Sequence, residues 1–286
     1  MPCTYGNSQV LIRNSMTKDP RNYPVVFTLL VLIFCTTVGT LISLYLGLSR
    51  YPPLVFSALI FLIALCCRCP NDMLLTSKID IKSLRLYWPI PIYLLVTPLL
   101  FGGYRFDQVN SSLIKYMTGV GFFEELLMHS FCLGLMLRIL RKTGKFSYQS
   151  VVKAAIVSST LFGIFHLFMI LQKPSDIHWI ALRISTVFFA FFMNLGFAGL
   201  ALRTNSVWPA VFFYATVDIV CFNVGDAEVI SRVLSGWWFT EGLIAIFLTM
   251  PFGLYGIWLI DRDFAEGNSQ HWILLNANNL SGNNDP

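Results

Sequence analysis

Two adjacent glutamates and a histidine interrupt an apolar stretch, GVGFFEELLMH, at residues 119–129. Glu125 and His129 are four residues apart and would share one face of a helix, whereas Glu124 would point about 100° away toward a different neighbour. Ionisable side chains inside apolar helices are costly, and they usually face a bundle interior or a water-filled cavity. We therefore take these three residues as the first candidates for a functional site.

Further polar side chains lie in the apolar segments that follow along the chain: His166, Asn194, Tyr214 and Asp218. Tyr214 and Asp218 are again four residues apart, so one helical face offers both a hydroxyl and a carboxylate. Arg183 and Glu241 lie nearer the ends of their segments, where long side chains reach the interface at lower cost. We leave those two residues out of the predicted site.

The chemistry that this cluster supports is proton transfer to and from water. A partly desolvated carboxylate with an imidazole beside it makes a suitable base for activating a water molecule. A metal ion held by the glutamates and His166 is the rival interpretation, but the HExxH motif is absent and a stable zinc site usually needs three protein ligands. We expect no cofactor and leave a divalent metal open.

The composition is that of a membrane protein, because 56% of the 286 residues are hydrophobic and only 12% are charged. Eight apolar segments approach the roughly 20 residues that cross a bilayer as a helix. They are residues 25–48, 54–69, 86–103, 119–139, 151–172, 179–202, 207–224 and 239–260. The sequence therefore predicts an all-α fold, a polytopic transmembrane helical bundle of about eight spans.

The distribution of basic residues predicts how the bundle is oriented. With eight spans, most of the 20 lysine and arginine residues fall on the side of the amino terminus. The positive-inside rule then predicts that both termini are cytoplasmic. The net charge of +5 has the same origin, and no basic stripe with interleaved aromatic side chains indicates nucleic-acid binding.

Four regions are predicted along the chain. Residues 1–118 contain an amino-terminal cytoplasmic segment and three transmembrane helices, and residues 119–222 form a core that carries the polar site. Residues 223–263 contain the last transmembrane helix. Residues 264–286, rich in asparagine and glycine, are predicted to be a disordered tail.

The order of the polar groups resembles the CPBP family, which comprises CAAX prenyl endopeptidases and bacterial relatives linked to bacteriocin processing and immunity, formerly called Abi proteins. The resemblance covers roughly residues 119–222. Its motifs are Glu124-Glu125, Phe162-Gly163-Ile164-Phe165-His166, the segment 194–210 and Tyr214-Ala215-Thr216-Val217-Asp218. Members of this family are intramembrane proteases whose motifs lie on transmembrane helices around a cavity.

The resemblance implies a role for each motif residue. Glu124 would be the base that activates water, His166 its partner and Glu125 a supporting carboxylate. Tyr214 and Asp218 would orient or stabilise the tetrahedral intermediate. Three further residues are expected to support the site: His129, Phe162 and Asn194.

Two positions depart from the family pattern. His129 stands where the family has arginine, and Tyr214 stands where it has histidine. A protonated histidine can still pair with Glu125, and a tyrosine hydroxyl can donate a hydrogen bond to an oxyanion. A catalytically impaired relative that keeps the glutamates for structure would nevertheless show the same pattern.

The resemblance implies an intramembrane endopeptidase that hydrolyses a peptide bond of a membrane-associated, lipidated or leader/signalling peptide. The alternative is an impaired family member that acts as an immunity or regulatory membrane scaffold with a membrane-protein partner. A proton or small-solute transporter is a third interpretation, because intramembrane Glu, His and Asp also build proton relays. We expect a multi-pass integral membrane protein, with the bacterial cytoplasmic membrane favoured.

Overall fold

The computed structural model describes residues 23–48, 52–66, 75, 81–100, 110–167, 175, 177–222 and 238–267. Of these residues, 90% are helical and none is in a strand, which confirms the predicted all-α class. The predicted cytoplasmic segment before residue 23 and the predicted disordered tail beyond residue 267 lie outside the described residues.

Eight helices, numbered in chain order, account for nearly all of the described residues. They are α1 (Pro24–Tyr45), α2 (Pro52–Cys66), α3 (Pro89–Leu100), α4 (Ser111–Lys142), α5 (Tyr148–Leu167), α6 (Ile177–Thr204), α7 (Trp208–Phe222) and α8 (Trp238–Ala265). A short 3-10 helix, Ile81–Tyr87, precedes α3. Each helix overlaps one of the eight predicted apolar segments.

Four of the described helices are long and apolar enough to cross a membrane: α1, α4, α5 and the part of α6 from Arg183 to Thr204. The helix α2 and residues Trp208–Val220 of α7 are apolar but shorter. These lengths and compositions are those of an integral membrane protein. The count of about eight spans and the cytoplasmic placement of both termini stay predictions.

The long helix α4 changes its winding directly after the two glutamates. Residues Leu126–Leu133 form a π-helix between the α-helical parts Ser111–Glu125 and Gly134–Lys142, and all eight π-helical residues are buried. The segment packs against α1, α2, α5 and α6. The Ser158 hydroxyl of α5 donates a hydrogen bond of 3.0 Å to the Met128 carbonyl within it. A rare winding of this kind often marks a functional site.

Small residues allow two pairs of helices to approach closely. A Cβ atom added to Gly199 of α6 would lie 2.2 Å from the Gly256 carbonyl oxygen of α8. A Cβ atom added to Gly121 of α4 would lie 2.7 Å from the Ala215 Cα atom of α7. The second contact matters for the site, because it holds α7 against α4 within one turn of Glu124.

Ion pairs tie α6 to the end of α8. The Arg203 guanidinium group donates hydrogen bonds to Asp263 and to Glu266, and Arg262 donates a further one to Glu266 at 2.5 Å. These hydrogen bonds lower the pKa of the exposed Glu266 carboxyl. The carboxyl-terminal ends of α6 and α8 therefore lie at the same end of the bundle, so the two helices are parallel neighbours.

We expect Gly199→Ala to destabilise the bundle, because the added methyl group would have to displace the backbone of α8. Overpacking of this kind costs about 1–3 kcal/mol. The melting temperature in a fixed detergent, followed by tryptophan fluorescence, measures the effect. Phe188→Ala on the same helix is the control, since its side chain is 42% exposed. An unchanged melting temperature for Gly199→Ala would show that the two helices do not need this contact.

Candidate active site

Glu124 of α4 and His166 of α5 line one cavity of about 400 Å³. The sequence predicted that these two side chains converge, and the structure brings them to the same cavity. Apart from Thr36, the remaining walls are apolar side chains of α1, α4 and α5, including Leu32, Ile33, Phe123, Leu127, Met128 and Phe165. The Glu124 side chain is partly exposed to this space rather than sealed in the core.

Tyr214 and Asp218 of α7 also lie near Glu124, although neither lines this cavity. The Tyr214 hydroxyl lies near enough to the Glu124 carboxylate for the two groups to interact electrostatically. Asp218 is near enough to Glu124 and Glu125 to interact with both electrostatically. Its Oδ2 atom is buried without a hydrogen-bond partner among the described residues. Three carboxyl groups and a phenol therefore share this region between α4 and α7.

The imidazole of His166 has a defined tautomer. Its Nδ1 atom lies 3.0 Å from the Phe162 carbonyl oxygen, which can only accept, so Nδ1 carries a hydrogen. In the neutral ring, Nε2 is then the acceptor. The Phe162 ring meets the His166 ring edge to face at 4.9 Å and the Tyr214 ring at 6.1 Å. Phe162 thus fixes the imidazole through its backbone and spaces it from Tyr214 through its ring.

Glu125 and His129 form a separate buried pair beside this cavity. The Nδ1 atom of His129 lies 2.5 Å from Oε2 of Glu125, and Nε2 lies 3.0 Å from the Asn194 carbonyl oxygen of α6. The side chains of Glu125 and His129 are 1% and 0% exposed. The predicted sharing of one helix face is therefore correct, and the imidazole also reaches a second helix, α6.

The net charge of the Glu125–His129 pair follows from its hydrogen bonds. The Asn194 carbonyl only accepts, so Nε2 of His129 carries a hydrogen. A contact of 2.5 Å between Nδ1 and a carboxyl oxygen requires one proton between them. Whether that proton resides on the imidazole or on the carboxyl group, the pair is electrically neutral overall.

Asn194 continues the network into α5. Its side-chain amide donates a hydrogen bond of 3.0 Å to the Ser159 hydroxyl. Within the described part of the chain, Oδ1 of Asn194 and Oε1 of Glu125 are buried without a partner. Asn194 therefore lies in the layer of Glu125 and His129, and it is not among the residues that line the cavity of Glu124 and His166.

Two residues at the site were missed by the sequence analysis. Arg183 of α6 lies close enough to His166 to act on it electrostatically, although its place near a helix end had argued against it. The available signal was the short connection between α5 and α6. Such a connection places the end of α5, which carries His166, level with the start of α6, which carries Arg183. Ser159 carried no signal, since serine is common in helices that cross membranes.

The described residues contain no group of three or more His, Cys, Asp or Glu side chains arranged to hold a metal ion. The three acids between α4 and α7 do not form such a group. The expectation that the site works without a cofactor stays a prediction.

The family model described as Type II CAAX prenyl endopeptidase Rce1-like matches residues 110–220. These residues are Rce1-like. The match confirms the CPBP resemblance over this segment, which contains all of the predicted site residues and runs from Asn110, just before α4, into α7. No curated protein and no solved structure gave a significant match to the chain. The Rce1-like segment thus connects the site to CAAX-type intramembrane proteases.

A double-mutant cycle on Glu125 and His129 tests whether the buried pair supports the Rce1-like segment. We expect His129→Leu alone to lower stability by about 3–5 kcal/mol, because it leaves a buried carboxyl group unpaired. The double variant Glu125→Met with His129→Leu should recover much of that loss, since two apolar side chains replace the pair. Urea unfolding in mixed micelles measures the free energies. Equal losses in the single and double variants would contradict the pairing.

Proposed function

We propose that the protein is a CPBP-type intramembrane endopeptidase that hydrolyses a peptide bond with water activated by Glu124 and His166. The observation that carries this proposal is the shared cavity, in which a carboxylate from α4 and an imidazole from α5 face the same space. The Rce1-like match over residues 110–220 supports the same reaction class.

The chemistry uses one water molecule between the two side chains. Glu124 accepts a proton from this water while the oxygen attacks the scissile carbonyl carbon, and His166 positions the water through Nε2. The tetrahedral intermediate then collapses, and Glu124 returns the proton to the leaving amine. The products are a new carboxyl terminus and a new amino terminus, so no other reactant is needed.

Tyr214 is proposed to stabilise the oxyanion of this intermediate. Its hydroxyl lies near the Glu124 carboxylate, and the attacked carbonyl must bind beside that carboxylate. In the family, a histidine stands at this position and performs this role by a ring N–H group. A phenol O–H is an equivalent donor, and Asp218 one turn further along α7 would orient it.

Glu125 and His129 are proposed to position Glu124 rather than to react. The neutral pair is anchored on the Asn194 carbonyl and fixes α4 against α6. It adds no net charge to the region beside Glu124. The replacement of the family's arginine by His129 is therefore compatible with catalysis, because the smaller side chain keeps the contact with Glu125.

The walls of the cavity favour a lipidated or strongly apolar peptide as the substrate. Leucine, isoleucine, methionine and phenylalanine side chains from α1, α4 and α5 surround the polar end that carries Glu124 and His166. A peptide whose cleavage site lies next to a lipid group would bury that group against these walls. We propose a lipidated membrane peptide ahead of a leader or signalling peptide for this reason.

A second candidate function is a catalytically impaired scaffold that binds a membrane-protein partner. The proximity of the Tyr214 hydroxyl to Glu124 favours it, because a phenol hydrogen-bonded to the base would compete with the water that the base must activate. Under this proposal the polar cluster would hold α4 to α7 without turnover.

We expect Glu124→Gln to lower the rate of cleavage by about 10²–10⁴, because the amide cannot accept the proton. The assay uses the full-length protein in nanodiscs with an internally quenched farnesylated peptide. Asp261→Asn, an exposed carboxylate on α8, is the matched control and should keep the wild-type rate. Cleavage by Glu124→Gln at the wild-type rate would contradict the protease proposal. If the wild-type protein cleaves no lipidated peptide, the scaffold function is favoured.

Replacement of Tyr214 tests whether its hydroxyl donates a hydrogen bond to the oxyanion or competes with water for Glu124. We expect Tyr214→Phe to lower the turnover number by about 10²–10³ with little change in KM, because it removes one hydrogen bond to the oxyanion. Tyr214→His restores the donor of the family pattern and should recover most of the rate. If Tyr214→Phe is instead faster than the wild type, the hydroxyl inhibits the base and the oxyanion role is wrong.

A further inference from the structure

A second cavity lies far along the bundle from Glu124, at the end where α6 and α8 terminate. It has a volume of about 570 Å³, within the range of pockets that bind small molecules. We call it the arginine pocket, because Arg85, Arg203 and Arg262 line it together with Trp88, Tyr255 and Trp258. Two leucines complete its lining, and no acidic side chain does.

The three guanidinium groups keep hydrogen-bond donors available for a ligand. Arg203 uses two N–H groups for Asp263 and Glu266, and Arg262 uses its Nε–H for Glu266. A guanidinium group has five N–H donors, so both retain several. Arg85 is exposed, and apart from bonds within the 3-10 helix its only hydrogen bond among the described residues is made by the backbone carbonyl, which accepts from the Trp88 N–H. Three arginines against two carboxylates leave the region with an excess of positive charge.

The aromatic residues place this pocket at the boundary between lipid and water. Trp88 and Trp258 are 56% and 46% exposed, and Tyr255 lies between them, stacked on Trp258 at 5.6 Å and edge to face with Trp88 at 6.1 Å. The Tyr255 hydroxyl donates to the Leu86 carbonyl at 2.9 Å, which fixes the ring. Tryptophan and tyrosine beside arginine are typical of the headgroup level of a membrane.

The geometry points to a binding site for the phosphate group of an anionic phospholipid. Arginine binds phosphate through paired N–H donors, and Arg85 and Arg262 enter the pocket on different helical elements, so that one phosphate can bridge them. The exposed tryptophans would then pack against the glycerol and the first acyl carbons. Basic pockets between helix ends on the cytoplasmic side are known to take lipid headgroups, and the positive-inside prediction assigns this end to that side.

The ligand would also link parts of the chain that few other contacts join. Arg85 precedes α3, whereas Arg203 and Arg262 lie in the last turns of α6 and α8. A phosphate held by all three would fasten the start of α3 to the α6–α8 pair. The site is independent of the proposed peptidase chemistry, because it shares no residue with the cavity of Glu124 and His166.

Lipid titration of the full-length protein in phosphatidylcholine nanodiscs tests this site. Native mass spectrometry counts bound phosphatidylglycerol and gives its dissociation constant for the wild type and for Arg85→Gln with Arg262→Gln. The double variant Lys145→Gln with Lys153→Gln is the matched control. It removes the same charge from exposed positions at the same bundle end, where Phe146 and Tyr148 pack on Phe264 of α8.

We expect one saturable phosphatidylglycerol in the wild type and a dissociation constant raised roughly tenfold in the arginine variant. The lysine control should stay within about twofold of the wild type, since it lowers only the general surface potential. Equal weakening in both variants, or equal binding of phosphatidylcholine, would overturn the site. If inorganic phosphate alone displaced all of the bound phosphatidylglycerol from the wild type, the pocket would be assigned to free phosphate instead of lipid.

A measurement on the wild type covers the case in which the arginine variant does not fold. Phosphatidylglycerol brominated near the top of its acyl chains should quench tryptophan fluorescence more strongly than brominated phosphatidylcholine. Trp88→Phe with Trp258→Phe should abolish the difference between the two lipids. If the difference in quenching between the two brominated lipids is the same in the wild type and the tryptophan variant, the lipid binds elsewhere and the proposal is wrong.

Discussion

The cost of placing carboxyl groups in apolar surroundings governs the arrangement of this bundle. Glu124 and Glu125 are neighbours in the chain, yet the helix directs them to different surroundings. Glu125 is neutralised by a hydrogen bond to His129 in the core, whereas Glu124 faces a cavity that His166 shares. Burying one acid as a neutral pair leaves the other as the group with access to a ligand.

The second layer of the site depends on backbone contacts as much as on side chains. The Asn194 carbonyl accepts from His129, and the Phe162 carbonyl accepts from His166. The first contact requires a hydrogen on Nε2 of His129, and the second requires one on Nδ1 of His166. Two histidines with the same intrinsic chemistry therefore take different roles. One stabilises a helix pair, and the other presents a nitrogen to the cavity. Any residue at position 162 could supply the carbonyl, but only an aromatic ring also spaces His166 from Tyr214.

Much of this arrangement could be predicted from the sequence, because it depends on local spacing. The apolar segments located all eight helices of the described residues, and the four-residue interval paired Glu125 with His129. Contacts between distant segments were harder. Nothing local indicated that Tyr214 would approach Glu124, that Arg183 would approach His166 or that the Asn194 backbone would accept from His129, since each depends on how two separate helices pack.

The π-helical winding of residues Leu126–Leu133 makes the length of α4 as important as its composition. Such a stretch accommodates more residues per turn than the α-helical parts on either side. Deleting a single residue there would let the stretch rewind as α-helix with little net rotation of the half that follows, because the π winding holds its extra residue within nearly the same rotation. A one-residue deletion in this stretch would therefore remove the π winding and leave the buried face of Gly134–Lys142 turned toward the core, whereas the same deletion in an α-helical part would rotate everything that follows by about 100°.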